Sequence, residues 1–253
     1  MFGWSINLFR IRGIQLAVHG SFLLLLAYAA YEGWSDGGWV QLLWSVGILV
    51  AFFVCVVLHE LGHSFTAMSF GIGVRRILLM PIGGMAEMDF IPRQPARELL
   101  ITLAGPSVNF ALAAILWAVV GFAGPDNQSD AAEFGRLLLR ANLWMGFFNL
   151  LPVFPMDGGR IFRALLATRL PYLRATFWAA TVGKVLAIIA GLIAAFYFHN
   201  YLTAFLFAFI FAAGDAEYRA VQRRDLEDAH WRAMASRLYP ASPATDEPPV
   251  LGP

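Results

Sequence analysis

Between Val40 and Leu58 no residue carries a charge, and then His59, Glu60 and His63 follow within the same apolar window, 40–64. About 20 consecutive apolar residues is the length of a helix that crosses a bilayer. An ionisable group at that depth costs about 2.5 kcal/mol or more, so the segment must both cross lipid and gain something from its polar cluster.

Five further windows have similar character, near 14–31, 98–122, 137–156, 183–199 and 200–214. The last two share a short turn around His199 and Asn200. Only 14% of the 253 residues are charged, against about 25% in a soluble domain. The expected fold class is an all-α polytopic membrane protein of about six transmembrane helices, with a re-entrant element or β-hairpin between the second and third. The expected organisation is a six-span domain over 1–214, a charged cytoplasmic helix over 215–238 that either lies on the membrane or is solvated, and a Pro-rich disordered tail over 239–253. The single cysteine, Cys55, excludes a disulfide framework and reads as core filler.

The net charge of +1 hides a partition among 17 arginines and one lysine, Lys184. Arg10 and Arg12 precede the first window; Arg75, Arg76, Arg93 and Arg97 follow the second. Arg160, Arg163, Arg169, Arg174 and Lys184 follow the fourth, and Arg219, Arg223, Arg224, Arg232 and Arg237 follow the sixth. By the positive-inside rule these four segments face the cytoplasm, which six spans with both termini inside satisfy. The remaining loops carry Glu32, Asp36, Asp126, Asp130 and Glu133. Arg10, Arg12 and the apolar run ending in Ala27-Tyr28-Ala29 imitate a secretory signal, but the window reads as a retained span. The Arg-rich, Lys-poor bias points to a prokaryotic plasma membrane. Nothing in this charge placement suggests nucleic acid.

In LHELGH, His59 and His63 are four apart and share one helical face, with Glu60 about 100° around the axis. Two neutral imidazoles at this spacing bind zinc, and the glutamate, not itself a ligand, is the general base toward water. A chance match is the competing reading; three titratable groups in an apolar span make it the weaker one. Catalytic zinc takes three protein ligands and leaves one position open. Counting inward from Val40 puts His59 about 29 Å along its helix, near the edge of a roughly 30 Å core. The fourth window brings NLLPVFPMDGGR to that edge, so Asp157 is the third candidate ligand; its alternative is an N-cap for a helix beginning near Arg160. Pro152 and Pro155 break the span just before it, which lipid tolerates only around a protein-lined or hydrated cavity. Asn149 offers an amide to a substrate carbonyl or its developing oxyanion, or else a helix-helix hydrogen bond.

The stretch GIGVRRILLMPIGGMAEMDF, with Gly83 and Gly84 beside Pro81, suggests an extended hairpin whose edge pairs with a substrate strand; a plain tight turn is the alternative. Glu87 and Asp89 are expected at the cytoplasmic rim. His19 is read as a hydrogen-bonding residue in preference to a ligand, and His199 and His230 are not plausible ligands. Gly105-Pro106-Ser107 and Asn109 are read as packing residues that let helices approach.

LHELGH at 58–63, PIGG at 81–84, AGPSVN at 104–109 and NLLPVFPMDGGR at 149–160 together resemble the site-2 proteases, the M50-type intramembrane zinc metalloproteases. The resemblance covers nearly the whole chain. It implies one Zn²⁺ held by His59, His63 and Asp157, Glu60 as general base, Asn149 near the substrate and the Gly83-Gly84 hairpin as a clamp. It also implies cleavage of a single-span membrane-protein substrate within the bilayer, as in regulated intramembrane proteolysis. Many relatives carry a PDZ or CBS module, for which this chain has no room. The main rival is a metal-ion or proton transporter, which would spread polar residues along several spans where here they crowd at one edge. An inactive relative is the second rival, against which the intact ligand set and base argue.

Overall fold

The N-terminal window does not begin as a helix. In the computed structural model, which describes residues 4–122, 124 and 127–238, strand β1 (Ser5–Ile11) pairs antiparallel with β2 (Ile14–His19). Arg12 and Gly13 form the two-residue turn between them, both at positive φ (48° and 92°). Positive φ at both central positions marks the turn whose twist matches two antiparallel strands. The all-α expectation is therefore corrected: hydropathy alone read Ile14–His19 as the start of a span, and the turn chemistry at Arg12-Gly13 overrides it.

Helix α1 (Gly20–Ser69) follows directly, its N-terminus capped by His19, whose ring accepts from the Ser21 amide. Gly37 and Gly38 leave helical geometry, Gly38 at φ +66°, and the chain reverses there. The two arms run back along each other: a Cβ on Gly33 would stand 2.7 Å from the Gln41 carbonyl oxygen, and the Phe22 and Phe53 rings meet edge to face at 4.5 Å. α1 is thus two antiparallel apolar arms, 20–36 and 39–69, joined at the Gly37-Gly38 break.

Strands β3 (Val74–Met80) and β4 (Gly83–Met88) form the hairpin that the sequence suggests between the second and third windows. β2 pairs with β3 in parallel, completing one sheet in the order β1-β2-β3-β4. Helices α2 (Pro95–Phe122), α3 (Asp130–Asn149), α4 (Asp157–Ala167) and α5 (Tyr172–Leu192) follow, α5 running on through a π-helical turn to Tyr197. α6 (Tyr201–Leu238) is unbroken, so residues 215–238 continue the same helix as 201–214. The tail 239–253 and Asp126 lie outside the described residues.

Among the described residues four helices are long and apolar enough to cross a membrane: α1, α2, α5 with its π turn, and α6. Their apolar residues point largely outward, as at Ile188, Ile189, Leu192, Leu202, Phe205 and Phe209. A helix that is apolar all round is solvated by lipid. Lipid gives apolar side chains little reason to leave it, so close approach through small residues must hold the helices together. Gly62 on α1 abuts the Ala104 carbonyl of α2, and the buried face of α5 is Ala175, Ala179, Ala180 and Gly183.

The sheet packs against the second arm of α1. Ile14, Leu16, Val18, Ile77 and Leu79 bury against Val56, Val57 and Leu61. His59 and His63, each two residues or about 200° on from Val57 and Leu61, are thereby turned away from the sheet and toward α2.

Candidate metal centre

α1 presents His59 and His63 on the face that meets α2, both buried. Their Nε2 atoms are 3.1 Å apart. Asp157, 94 residues beyond His63, brings Oδ2 to 3.2 Å from each of them. Asp157 is the first residue of α4, and Met156 before it occupies the cap position without a side-chain cap bond. Its carboxylate is thus directed at the imidazoles, and the N-cap alternative is not the arrangement seen.

The far side of each ring fixes what the near side offers. His63 Nδ1 lies 2.7 Å from the Ile101 carbonyl, which can only accept, so Nδ1 carries the proton and Nε2 presents a lone pair. His59 Nδ1 lies 2.5 Å from Asn109 Oδ1, and the Asn109 amide is oriented by donating from Nδ2 to Asn142 Oδ1 at 3.0 Å. Asn142 in turn donates to the Leu138 carbonyl and to Cys55 Sγ. With both rings neutral, two imidazole lone pairs and a carboxylate oxygen converge. That donor set fits a divalent cation, and two nitrogens with one oxygen suit zinc with a fourth position left open.

α2 is fitted to this pair at one point. A Cβ on Gly105 would stand 2.2 Å from His63 Nε2 and 2.8 Å from His59 Cε1. Gly105 and Asn109, read from sequence as packing residues, are in this structure the wall and the bracket of the imidazoles. Their signal was a spacing of four, which places both on one face of a helix.

The other anticipated residues lie as follows. Glu60 is half-buried, and the backbone of β4 closes on it: a Cβ on Gly84 would meet Glu60 Cγ at 2.6 Å. Gly83 sits beside it at φ +136°, a conformation that favours glycine. Among the described residues β4 pairs only with β3, so its other edge is an edge of the sheet. Asn149 ends α3 and donates to the Met145 carbonyl of its own helix at 3.0 Å. Among the described residues, the group of three able to hold a metal is His59, His63 and Asp157.

The sequence profile of peptidase family M50 matches residues 47–136 and 124–190, which take in both the HELGH segment and the Asp157 segment. The chain belongs to peptidase family M50. This M50 protein is 39% identical over 222 residues to a zinc metalloprotease of Methanocaldococcus jannaschii, covering 87% of this chain and 62% of that one. It is 28% identical over 193 residues to stage IV sporulation protein FB of Bacillus subtilis, covering 76% and 64%. Among solved structures it is similar to a site-2 protease from Methanocaldococcus jannaschii, with a TM-score of 0.61, 37% identity, and coverage of 85% of this chain and 95% of that one. The M50 chain thus spans about three fifths of the length of the curated zinc metalloprotease that it matches at 39% identity.

Proposed function

We propose that this protein is a zinc metalloprotease that hydrolyses a peptide bond within or near a transmembrane segment of a membrane-protein substrate, as regulated intramembrane proteolysis requires. The observation that carries the reading is the meeting of His59 Nε2, His63 Nε2 and Asp157 Oδ2 within 3.2 Å, beside a half-buried glutamate. One Zn²⁺ held by these three ligands would supply Lewis acidity to water and to the scissile carbonyl.

The protein's own groups perform the rest. Glu60 takes the proton of the attacking water and passes it to the leaving nitrogen. Asn149, whose amide has a second hydrogen beyond the one donated to Met145, steadies the carbonyl oxygen as charge develops. The outer edge of β4 receives the substrate as an added strand, with Gly83 and Gly84 letting its backbone lie close to Glu60. A helical amide is shielded by its own hydrogen bonds, so the substrate must unwind before it can pair there.

The arms 20–36 and 39–69 with α2, α3, α5 and α6 make six spans in this reading, both termini facing the cytoplasm of a prokaryotic plasma membrane. Its support is the gathering of basic segments at one end of the bundle. Arg12 lies over the Phe65 ring and Arg97 over the Phe70 ring, and Arg93 pairs with Asp225 and Asp228 of α6.

The test is reconstitution with a single-span substrate. Glu60→Gln should abolish cleavage while zinc stays bound, and a variant that still cuts would remove Glu60 from its role. Zinc flux across liposomes with no cleavage of any single-span substrate would instead favour a metal-ion transporter.

A further inference from the structure

The two halves of the metal centre belong to different helices. α2 supports both imidazoles, through the Ile101 carbonyl on His63 and the Asn109 amide on His59. α4 carries the carboxylate. Between α2 and α4 lies a fully buried ion pair: Arg163 of α4 donates through Nε and Nη2 to Glu98 Oε1 at 2.8 and 2.5 Å, with side-chain exposures of 0% and 1%. Glu98 is one turn before Ile101, and Arg163 is about 9 Å along the helix axis from Asp157.

The guanidinium has further anchors. Nη1 donates to Glu217 of α6 at 2.6 Å. One neighbour of the cation is the Tyr172 ring at the start of α5, at 5.1 Å, and the other is the Phe154 ring at 5.3 Å. Phe154 is itself buried and lies three residues before Asp157, in the non-helical stretch that delivers the ligand. Arg163 therefore touches the segment just before the carboxylate, α2, which braces the imidazoles, the start of α5 and the side of α6.

We propose that Arg163 is a positioning residue: by clamping α4 to Glu98 of α2 and Glu217 of α6 it sets Asp157 opposite His59 and His63. The planar fork suits this task, since it fixes direction as well as distance, whereas an ammonium fixes distance alone. A pair buried this completely is a poor source of stability, because desolvation of both charges offsets most of their attraction; its return is a fixed geometry.

The inference rests on the metal reading above, and the experiment separates the two. Metal-stripped protein in nanodiscs is titrated with zinc against a chelator, its Co²⁺ form is examined by visible absorption, and its thermal unfolding midpoint is measured without metal. Asp157→Ala is the control, and wild-type zinc affinity in that variant would sink the metal reading itself. Given a control that loses zinc, Glu98→Leu combined with Arg163→Met and Glu217→Gln, which leaves no carboxylate of the cluster unpaired, should keep its unfolding midpoint yet bind zinc about tenfold more weakly or worse, with a changed Co²⁺ spectrum. Arg163→Lys should lose several-fold. Zinc affinity within twofold of wild type and an unchanged Co²⁺ spectrum in both variants would overturn the proposal. Should the triple variant not fold, Arg163→Lys decides by the same criterion.

Discussion

His59 Nδ1 lies 2.5 Å from Asn109 Oδ1, fifty residues further along the chain and on a different helix. The contact fixes which ring nitrogen is protonated and points the other at His63 and Asp157. Asn109→Ala should therefore weaken zinc binding about 10- to 100-fold, the usual cost of losing a partner behind a ligand. Chelator competition reads this directly, and affinity equal to wild type would show that the ring is oriented by something else.

Gly105 tests the same wall by crowding it. In Gly105→Ala the added methyl would fall 2.2 Å from His63 Nε2 and 2.5 Å from its Cε1. The opposing atoms belong to a ring held by a backbone carbonyl, so relief requires α1 and α2 to separate. Overpacking of this kind costs about 1–3 kcal/mol. The expected result is a lower unfolding midpoint together with loss of stoichiometric zinc, both measurable on purified protein.

At Gly84 the crowding falls on Glu60, the proposed base, and leaves His59, His63 and Asp157 alone. A Cβ there would meet Glu60 Cγ at 2.6 Å. Gly84→Val should reduce kcat by about tenfold or more, with zinc content intact. Undiminished turnover of a single-span substrate would separate β4 from the reacting groups.

Removal of the metal should be reversible. A strong chelator is expected to stop proteolysis, and zinc added back to restore it; in Asp157→Ala, zinc at the same concentration should restore nothing. Cleavage that persists in metal-stripped protein would end the metalloprotease assignment.

The grouping of His59, His63 and Asp157 was legible in the sequence because lipid makes polar residues conspicuous: the three had few rivals at the same depth. The β3-β4 hairpin was legible through Pro81 and the paired glycines. Three things were not. Ile14–His19 is apolar enough to pass for helix, and only the positive φ demanded at Arg12 and Gly13 separates strand from span. Asn109 looked like glue between helices, since a sequence carries no mark of which polar group an amide will face. Likewise α5 starts at Tyr172 rather than near 183, because a helix can begin well outside the apolar stretch that announces it.

The arm of α1 after Gly38 has a consequence for the host membrane. Residues 39–69 make about 46 Å of helix, against a hydrocarbon thickness of roughly 30 Å. The surplus is taken up by leaning or by protrusion, and the balance between them shifts with acyl-chain length. The imidazoles ride on that arm, so their distance from bulk solvent is partly a property of the surrounding lipids. Hydrolysis rates compared between short-chain and long-chain vesicles would expose this dependence, and equal rates would show that the protein carries its own water supply.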